Sequence, residues 1–197
     1  ISPNRIYVHE DHTEAFLGEL TRRVARLRVG NGMEEGIGIG PLINEAAIEK
    51  IDAQVQDAVA QGAQVCHGGV RMSEGALAQG HFYAPTILSG VTPQMRIYRE
   101  ETFGPIAPVI SYRDEDDLIA LANDTEYGLA AYVYSDRLDT TMRAFEGLDF
   151  GIIGINDINP TSAAAPFGGM KASGMGREGA QEGIAEYLET KTAGMVV

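Results

Sequence analysis

Two adjacent carboxylates, an aromatic residue and a Gly-Pro turn stand together in Glu100-Glu101-Thr102-Phe103-Gly104-Pro105. A carboxylate on a loop can accept hydrogen bonds from both hydroxyls of a ribose, and an aromatic face can wall a flat heterocycle. The segment also reads as an exposed acidic turn that Phe103 anchors in the core. A second candidate, Gly174-Met175-Gly176-Arg177-Glu178-Gly179, matches G-x-G-x-x-G. A dinucleotide site of that kind needs a strand before the motif, a helix after it and an acidic residue about twenty positions on. Met170-Lys171-Ala172-Ser173 is no strand pattern, so the motif is expected to be a false match. His9-Glu10-Asp11-His12 straddles a strand end and a helix start, where the two rings need not converge. A solvated turn is expected there, and no metal site. Cys66, in a strand beside His67, is expected to be a buried structural thiol rather than a nucleophile.

The elements that must position these groups follow from periodicity. Residues 5–9 read as a strand, and residues 11–28 as a helix with Phe16, Leu17, Leu20, Val24 and Leu27 on one face. Residues 32–40 form a turn-rich loop. Asn44 suits an N-cap for a second helix that buries Ile48, Ile51, Val55 and Val59 and stops at Gly62. Residues 63–66, 82–88, 106–111, 129–134 and 151–155 read as strands, the last without alternation and so buried on both faces. Helices are expected from Asp114 to Leu121, over 137–148, and near 181–188. A glycine-rich loop covers 167–179, and the tail 190–197 is apolar and extended. Strands alternating with helices predict an α/β fold with a mainly parallel sheet, flanking helices and an extended C-terminal strand.

Composition narrows the function classes. The chain has 197 residues and a net charge of −13, which disfavours nucleic-acid binding. No apolar run approaches the length of a membrane span. One cysteine excludes an intramolecular disulfide and a cysteine-based zinc cluster, and a reducing compartment, the cytoplasm, is the default expectation. The 24 glycines exceed the average share of about 7 %, so many tight turns or close backbone approaches are expected.

Taken in order, several segments resemble the C-terminal half of the NAD(P)-dependent aldehyde dehydrogenase superfamily. They are Asn4 to Val8, Gly40-Pro41-Leu42-Ile43, Tyr83-Ala84-Pro85-Thr86, Glu100 to Pro105, Asn123 to Ala130, Pro166 to Lys171, and Ser173 to Glu178. The resemblance covers essentially the whole chain. It implies that residues 1–188 are a catalytic domain lacking its first elements, and that 189–197 are a strand for homo-oligomerisation, as a dimer or tetramer. It implies NAD or NADP as cofactor, with Glu101 on the nicotinamide ribose and Phe103 against the nicotinamide region. Phe167 would line the substrate entrance, and Arg177 and Glu178 would organise packing near subunit contacts.

The family's chemistry is covalent. A cysteine thiolate adds to the aldehyde, hydride passes to the nicotinamide, and water hydrolyses the resulting thioester. By alignment the nucleophile is expected immediately before Ile1, so no catalytic residue is assigned within the chain. The general base, the oxyanion Asn and the cofactor domain are expected further upstream, and Cys66 does not match the nucleophile.

The segments Gly176 to Gly179 and Glu186 to Lys191 are similar to succinate-semialdehyde dehydrogenases, whose substrates carry a distal carboxylate. Thr161 and Ser162 fall where that group offers hydroxyls, in a loop, 156–165, that departs from the group's usual sequence. Two alternatives stand beside this reading. One is a non-catalytic relative serving as a binding or assembly module, and the other is a semialdehyde dehydrogenase that uses coenzyme A.

Overall fold

Asn44 opens the helix around which the first half of the chain is built. Its Oδ1 accepts from the Ala47 backbone N–H at 3.0 Å, satisfying one of the unpaired donors of α2 (Glu45–Ala60). The computed structural model describes residues 3–197, with the backbone alone at Asp116. It divides into two compact units, residues 1–115 and 116–197.

In the first unit, β1 (Ile6–His9), β2 (Gln64–His67), β3 (Thr86–Ser89) and β4 (Ile106–Tyr112) form one sheet in the order β1-β4-β3-β2. The β1–β4 and β3–β4 pairs are parallel, and the β2–β3 pair is antiparallel with an irregularity between Val65 and His67. Pro108 lies in the middle of the central strand, where a missing N–H should break a ladder. The register explains why it is tolerated. β4 pairs with β3 through Pro108 and with β1 from Val109 onward, so proline falls at the changeover. The core gathers Ile48, Ile51, Val55 and Ala58 of α2, Leu88, Ile106 and Ile110 of the sheet, and Ile97 and Tyr98 of a short helix α3 (Arg96–Arg99).

Four local expectations are corrected in this unit. Val59 is exposed, because the buried stripe of α2 runs 48, 51, 55, 58 and Ala58 takes its last position. The first helix, α1 (Glu10–Val24), stops short of Arg28. Bonds from Arg26 N to Arg23 O and from Leu27 N to Val24 O tighten its end into a three-residue turn. The strand expected over 82–88 is split. Residues 82–84 pair with 70–72 through Met72 N to Phe82 O and Ala84 N to Val70 O, and only Thr86 onward joins the sheet. Cys66 is half-buried rather than buried, since β2 is an edge strand, and its thiol donates to Ser89 Oγ at 3.3 Å.

The His9 to His12 segment serves the backbone. His9 Nδ1 caps α1 by accepting from Asp11 N–H, its Nε2 donates to the Arg113 carbonyl, and Glu10 pairs with Arg113.

The second unit holds a parallel pair, β6 (Ala130–Val133) with β7 (Ile152–Ile155), joined by helix α5 (Leu138–Gly147). A short antiparallel pair, β5 (Tyr127–Gly128) with β8 (Met170–Lys171), and helices α4 (Glu115–Asn123) and α6 (Ala180–Ala185) complete it. β7 is not buried on both faces. It has one ladder partner, and among its residues only Gly154 is buried while Ile155 is exposed. Gly151 is required by packing, because a Cβ there would lie 1.9 Å from the Gly168 carbonyl oxygen. Residues 188–197 join no ladder among the described residues. Among those residues, no helix is long and apolar enough to cross a membrane.

Candidate active-site elements

The loop from Glu100 to Pro105 joins α3 to β4, and its two acids have different fates. Glu100 is engaged. Arg96, one helical turn earlier, reaches it with Nε at 2.8 Å and a terminal guanidinium nitrogen at 3.1 Å, and Gln54 Nε2 donates to Oε2 at 3.2 Å. The Arg96 guanidinium holds the Glu100 carboxyl below the usual carboxylate range, against an opposing push from partial burial. Glu101 is exposed, and its carboxylate has no hydrogen bond or ion pair among the described residues. One acid is therefore a fastening, and the other has no side-chain partner among the described residues.

Thr102 is the buried member of the loop, at 3 % exposure, and Gly104 rests on Ile51, where an added Cβ would stand 3.0 Å from Ile51 Cγ2. Phe103 does not anchor the loop, correcting the bland reading of the segment. Its backbone takes φ 49°, in the left-handed region that costs a bulky residue roughly 1–3 kcal/mol, and its ring is 76 % exposed. Residues held in such sparsely populated backbone regions cluster at functional sites.

The other sequence candidates lie in the second unit. Asn156, at φ 52°, closes the end of β7 with both its amide groups, accepting from Ser135 N at 3.0 Å and donating to Ser135 O at 2.8 Å. Asp157 then accepts from Asn159 N at 2.8 Å, an Asx turn that starts the 156–165 loop. Thr161 Oγ1 donates to Asn159 Oδ1 at 3.1 Å, so that hydroxyl is committed locally. Ser162 is exposed, and its hydroxyl has no partner among the described residues. Phe167 is 39 % exposed and is fixed through its backbone by reciprocal 2.7 Å bonds with Glu178. Arg177 donates from one guanidinium nitrogen to the Gly169 and Gly176 carbonyls at 2.9 and 2.7 Å, closing the glycine-rich turn on itself. Gly176 faces the Glu186 carboxylate, with only about 3 Å left for a Cβ. Gly174 has open space around it, and the residues before the motif, expected to form no strand, include the two-residue strand β8, which pairs with β5.

Glu101 and Phe103 thus share one loop of the first unit, and Thr161, Ser162 and Phe167 share a loop region of the second. The position before Ile1, where the nucleophile is expected, lies outside the described residues. Sequence reasoning passed over three supports of the first loop: Gln54, Arg96 and Asn4. Two carried a visible signal. Gln54 is a polar residue on the apolar stripe of α2, and Arg96 stands four positions before Glu100. Asn4 carried none, because its partners are 96 and 98 positions away.

Comparison with known proteins places this arrangement. The chain is 47% identical over 191 residues to an aspartate-semialdehyde dehydrogenase (non-phosphorylating) of Halomonas elongata, covering 97% of this chain and 38% of the relative. It is 45% identical to an NADP(+) succinate-semialdehyde dehydrogenase of Escherichia coli K12, covering 97% of this chain and 39% of the relative. Among solved structures it superimposes on a succinate-semialdehyde dehydrogenase from Burkholderia pseudomallei with TM-score 0.89 at 47% identity, covering 93% of this chain and 37% of that one. A betaine aldehyde dehydrogenase from Staphylococcus aureus in complex with NAD+ gives TM-score 0.90 at 38% identity, covering 95% and 37%. The chain therefore spans about two-fifths of the length of these relatives. The aldehyde dehydrogenase family model matches residues 1–193, and with identities of this size across nearly the whole chain, the protein belongs to the aldehyde dehydrogenase family.

Proposed function

We propose that these 197 residues are the catalytic-domain portion of an NAD(P)-dependent aldehyde dehydrogenase that oxidises a semialdehyde to the corresponding acid. The observation that carries the reading is the Glu100–Pro105 loop, where one carboxylate is fastened by Arg96 and Gln54 and the next is left exposed beside an outward-turned aromatic ring. That donor set fits a nicotinamide nucleoside. Glu101 can accept from a vicinal diol, and Phe103 offers a flat apolar face to a heterocycle. NAD(P)+ supplies a hydride acceptor when bound. The residues of this chain would hold its ribose and wall its ring.

The substrate side rests on the 156–167 region. Ser162 is exposed with no hydroxyl partner among the described residues, Thr161 lies next to it, and Phe167, 39 % exposed, follows in the same loop region. Hydroxyls suit the distal carboxylate of a semialdehyde, and the relatives above are named for aspartate and succinate semialdehydes. The cysteine nucleophile, its general base and the nucleotide-binding domain would come from polypeptide outside these residues, since the chain accounts for 38% of its relatives' length. Residues 1–188 would form the catalytic domain. Residues 189–197 would act as an oligomerisation strand, because exposed Met195, Val196 and Val197 need a partner edge.

The direct test is formation of NADH or NADPH by the full-length protein with succinate, glutarate and aspartate semialdehydes. Turnover of a semialdehyde supports the reading, and absence of turnover with every aldehyde and both coenzymes overturns it. Deleting residues 190–197 should lower the oligomeric state in sedimentation, and an unchanged profile would remove the role given to the tail.

A further inference from the structure

Asn4 stands just before β1, and its side-chain amide spans the backbone around Glu101. Nδ2 donates to the Glu100 carbonyl at 2.7 Å, and Oδ1 accepts from the Thr102 N–H at 2.9 Å. The only rotatable backbone bonds between that carbonyl carbon and that amide nitrogen are φ and ψ of Glu101. A planar amide held at both points therefore fixes those two angles, and with them the direction of the Glu101 Cα–Cβ bond. The flanking residues are secured independently: Glu100 through Arg96 and Gln54, and Thr102 by burial. Glu101 is the one acid in the segment whose side chain stays free while its backbone is clamped from both sides.

We propose that Asn4 is a positioning residue for Glu101, setting the direction from which the carboxylate meets the diol of a bound nucleotide. The inference rests on the reading of Glu101 given above and extends it to a residue whose side-chain amide is taken up by the backbone on either side of Glu101. The restraint matters because a carboxylate on a loop free to rotate would lose affinity to ordering each time a ligand bound. Asn suits the position because a carbonyl and an N–H must be met together. Aspartate can meet only the N–H and would set an anionic oxygen against the Glu100 carbonyl.

The test uses the full-length enzyme and two probes: the oxidised dinucleotide, and a fragment that lacks the nicotinamide ribose. The fragment is ADP, or 2′,5′-ADP where NADP+ is the coenzyme. Asn4→Ala should raise the dinucleotide Kd about tenfold, the worth of one good hydrogen bond to a charged group, and leave the fragment Kd unchanged. The aldehyde KM should not move. Asn4→Asp, which keeps one of the two contacts, should shift dinucleotide binding in the same direction, and it decides the matter if the alanine variant does not fold. Glu101→Gln serves as the reference. If Glu101→Gln weakens dinucleotide binding and the Asn4 variants do not, the positioning role fails and the reading of Glu101 stands. If Glu101→Gln has no effect, the reading of Glu101 fails and the role of Asn4 with it. Equal weakening of dinucleotide and fragment would mean general destabilisation and would also overturn the proposal.

Discussion

Replacing Thr102 by valine should stabilise the protein. Thr102 lies between Glu101 and Phe103 at 3 % exposure, and its Oγ1 has no hydrogen-bond partner among the described residues. Its backbone N–H, by contrast, is taken by Asn4. Burying an unpaired hydroxyl costs about 1–3 kcal/mol, and the methyl group that replaces it adds about 0.8 kcal/mol of apolar burial. Shape is nearly conserved and the Asn4 contact is untouched, so Thr102→Val should gain about 1–2 kcal/mol after some loss to imperfect fit. Thr102→Ser keeps the hydroxyl and gives up the methyl, and should cost about 1 kcal/mol. The assay is urea unfolding followed by far-ultraviolet circular dichroism, with the slope held common so that midpoints report stability. The expected order is valine above threonine above serine. A valine variant less stable than the parent would mean that the Thr102 hydroxyl has a partner whose loss outweighs the gain.

Three further outcomes follow from the structure. Gly151→Ala sets a Cβ 1.9 Å from the Gly168 carbonyl oxygen and 3.1 Å from the Gly169 Cα, both backbone atoms, so it should cost more than about 3 kcal/mol. Gly32→Ala, with nothing within 4 Å of the added carbon, should change the same urea midpoint by less than about 0.5 kcal/mol, and equal effects at the two sites would contradict the packing argument. The Glu100 carboxyl is held below its usual range chiefly by Arg96, so the pair should contribute stability above about pH 4.3 and lose it as pH falls through the lowered native value. Arg96→Ala should therefore be less stable than the parent by under about 1 kcal/mol near neutral pH, the pair being solvent-screened, with the gap closing towards pH 3. A gap that is constant with pH would assign the effect to something other than this ion pair.

What the sequence made legible was local and periodic. The 3.6-residue stripe of α2, the Asn44 cap and the alternation of strands with helices were readable because each signal sits within about a dozen residues. The E-E-x-F-G-P segment and its ordered neighbours were readable as a family resemblance. The misses came from contacts distant in sequence or too short to show periodicity. Residues 82–84 chose 70–72 as partners instead of joining the main sheet, and α3 is only four residues long. β7 looked like a doubly covered strand from its apolar run, although its hydrogen bonds go to a single neighbour. Composition could not separate Glu100 from Glu101. That distinction comes from Arg96, Gln54 and Asn4 converging on one loop, two of them from elsewhere in the chain.

Whether the two neighbouring acids have divided roles is decided by paired steady-state kinetics of Glu100→Gln and Glu101→Gln in the full-length enzyme. Glu101→Gln should raise the KM for NAD(P)+ and lower kcat with the urea midpoint unchanged. Glu100→Gln should lower the urea midpoint with a smaller effect on coenzyme kinetics. If Glu101→Gln leaves both coenzyme parameters at their parental values, the assignment of the exposed carboxylate to the coenzyme is contradicted.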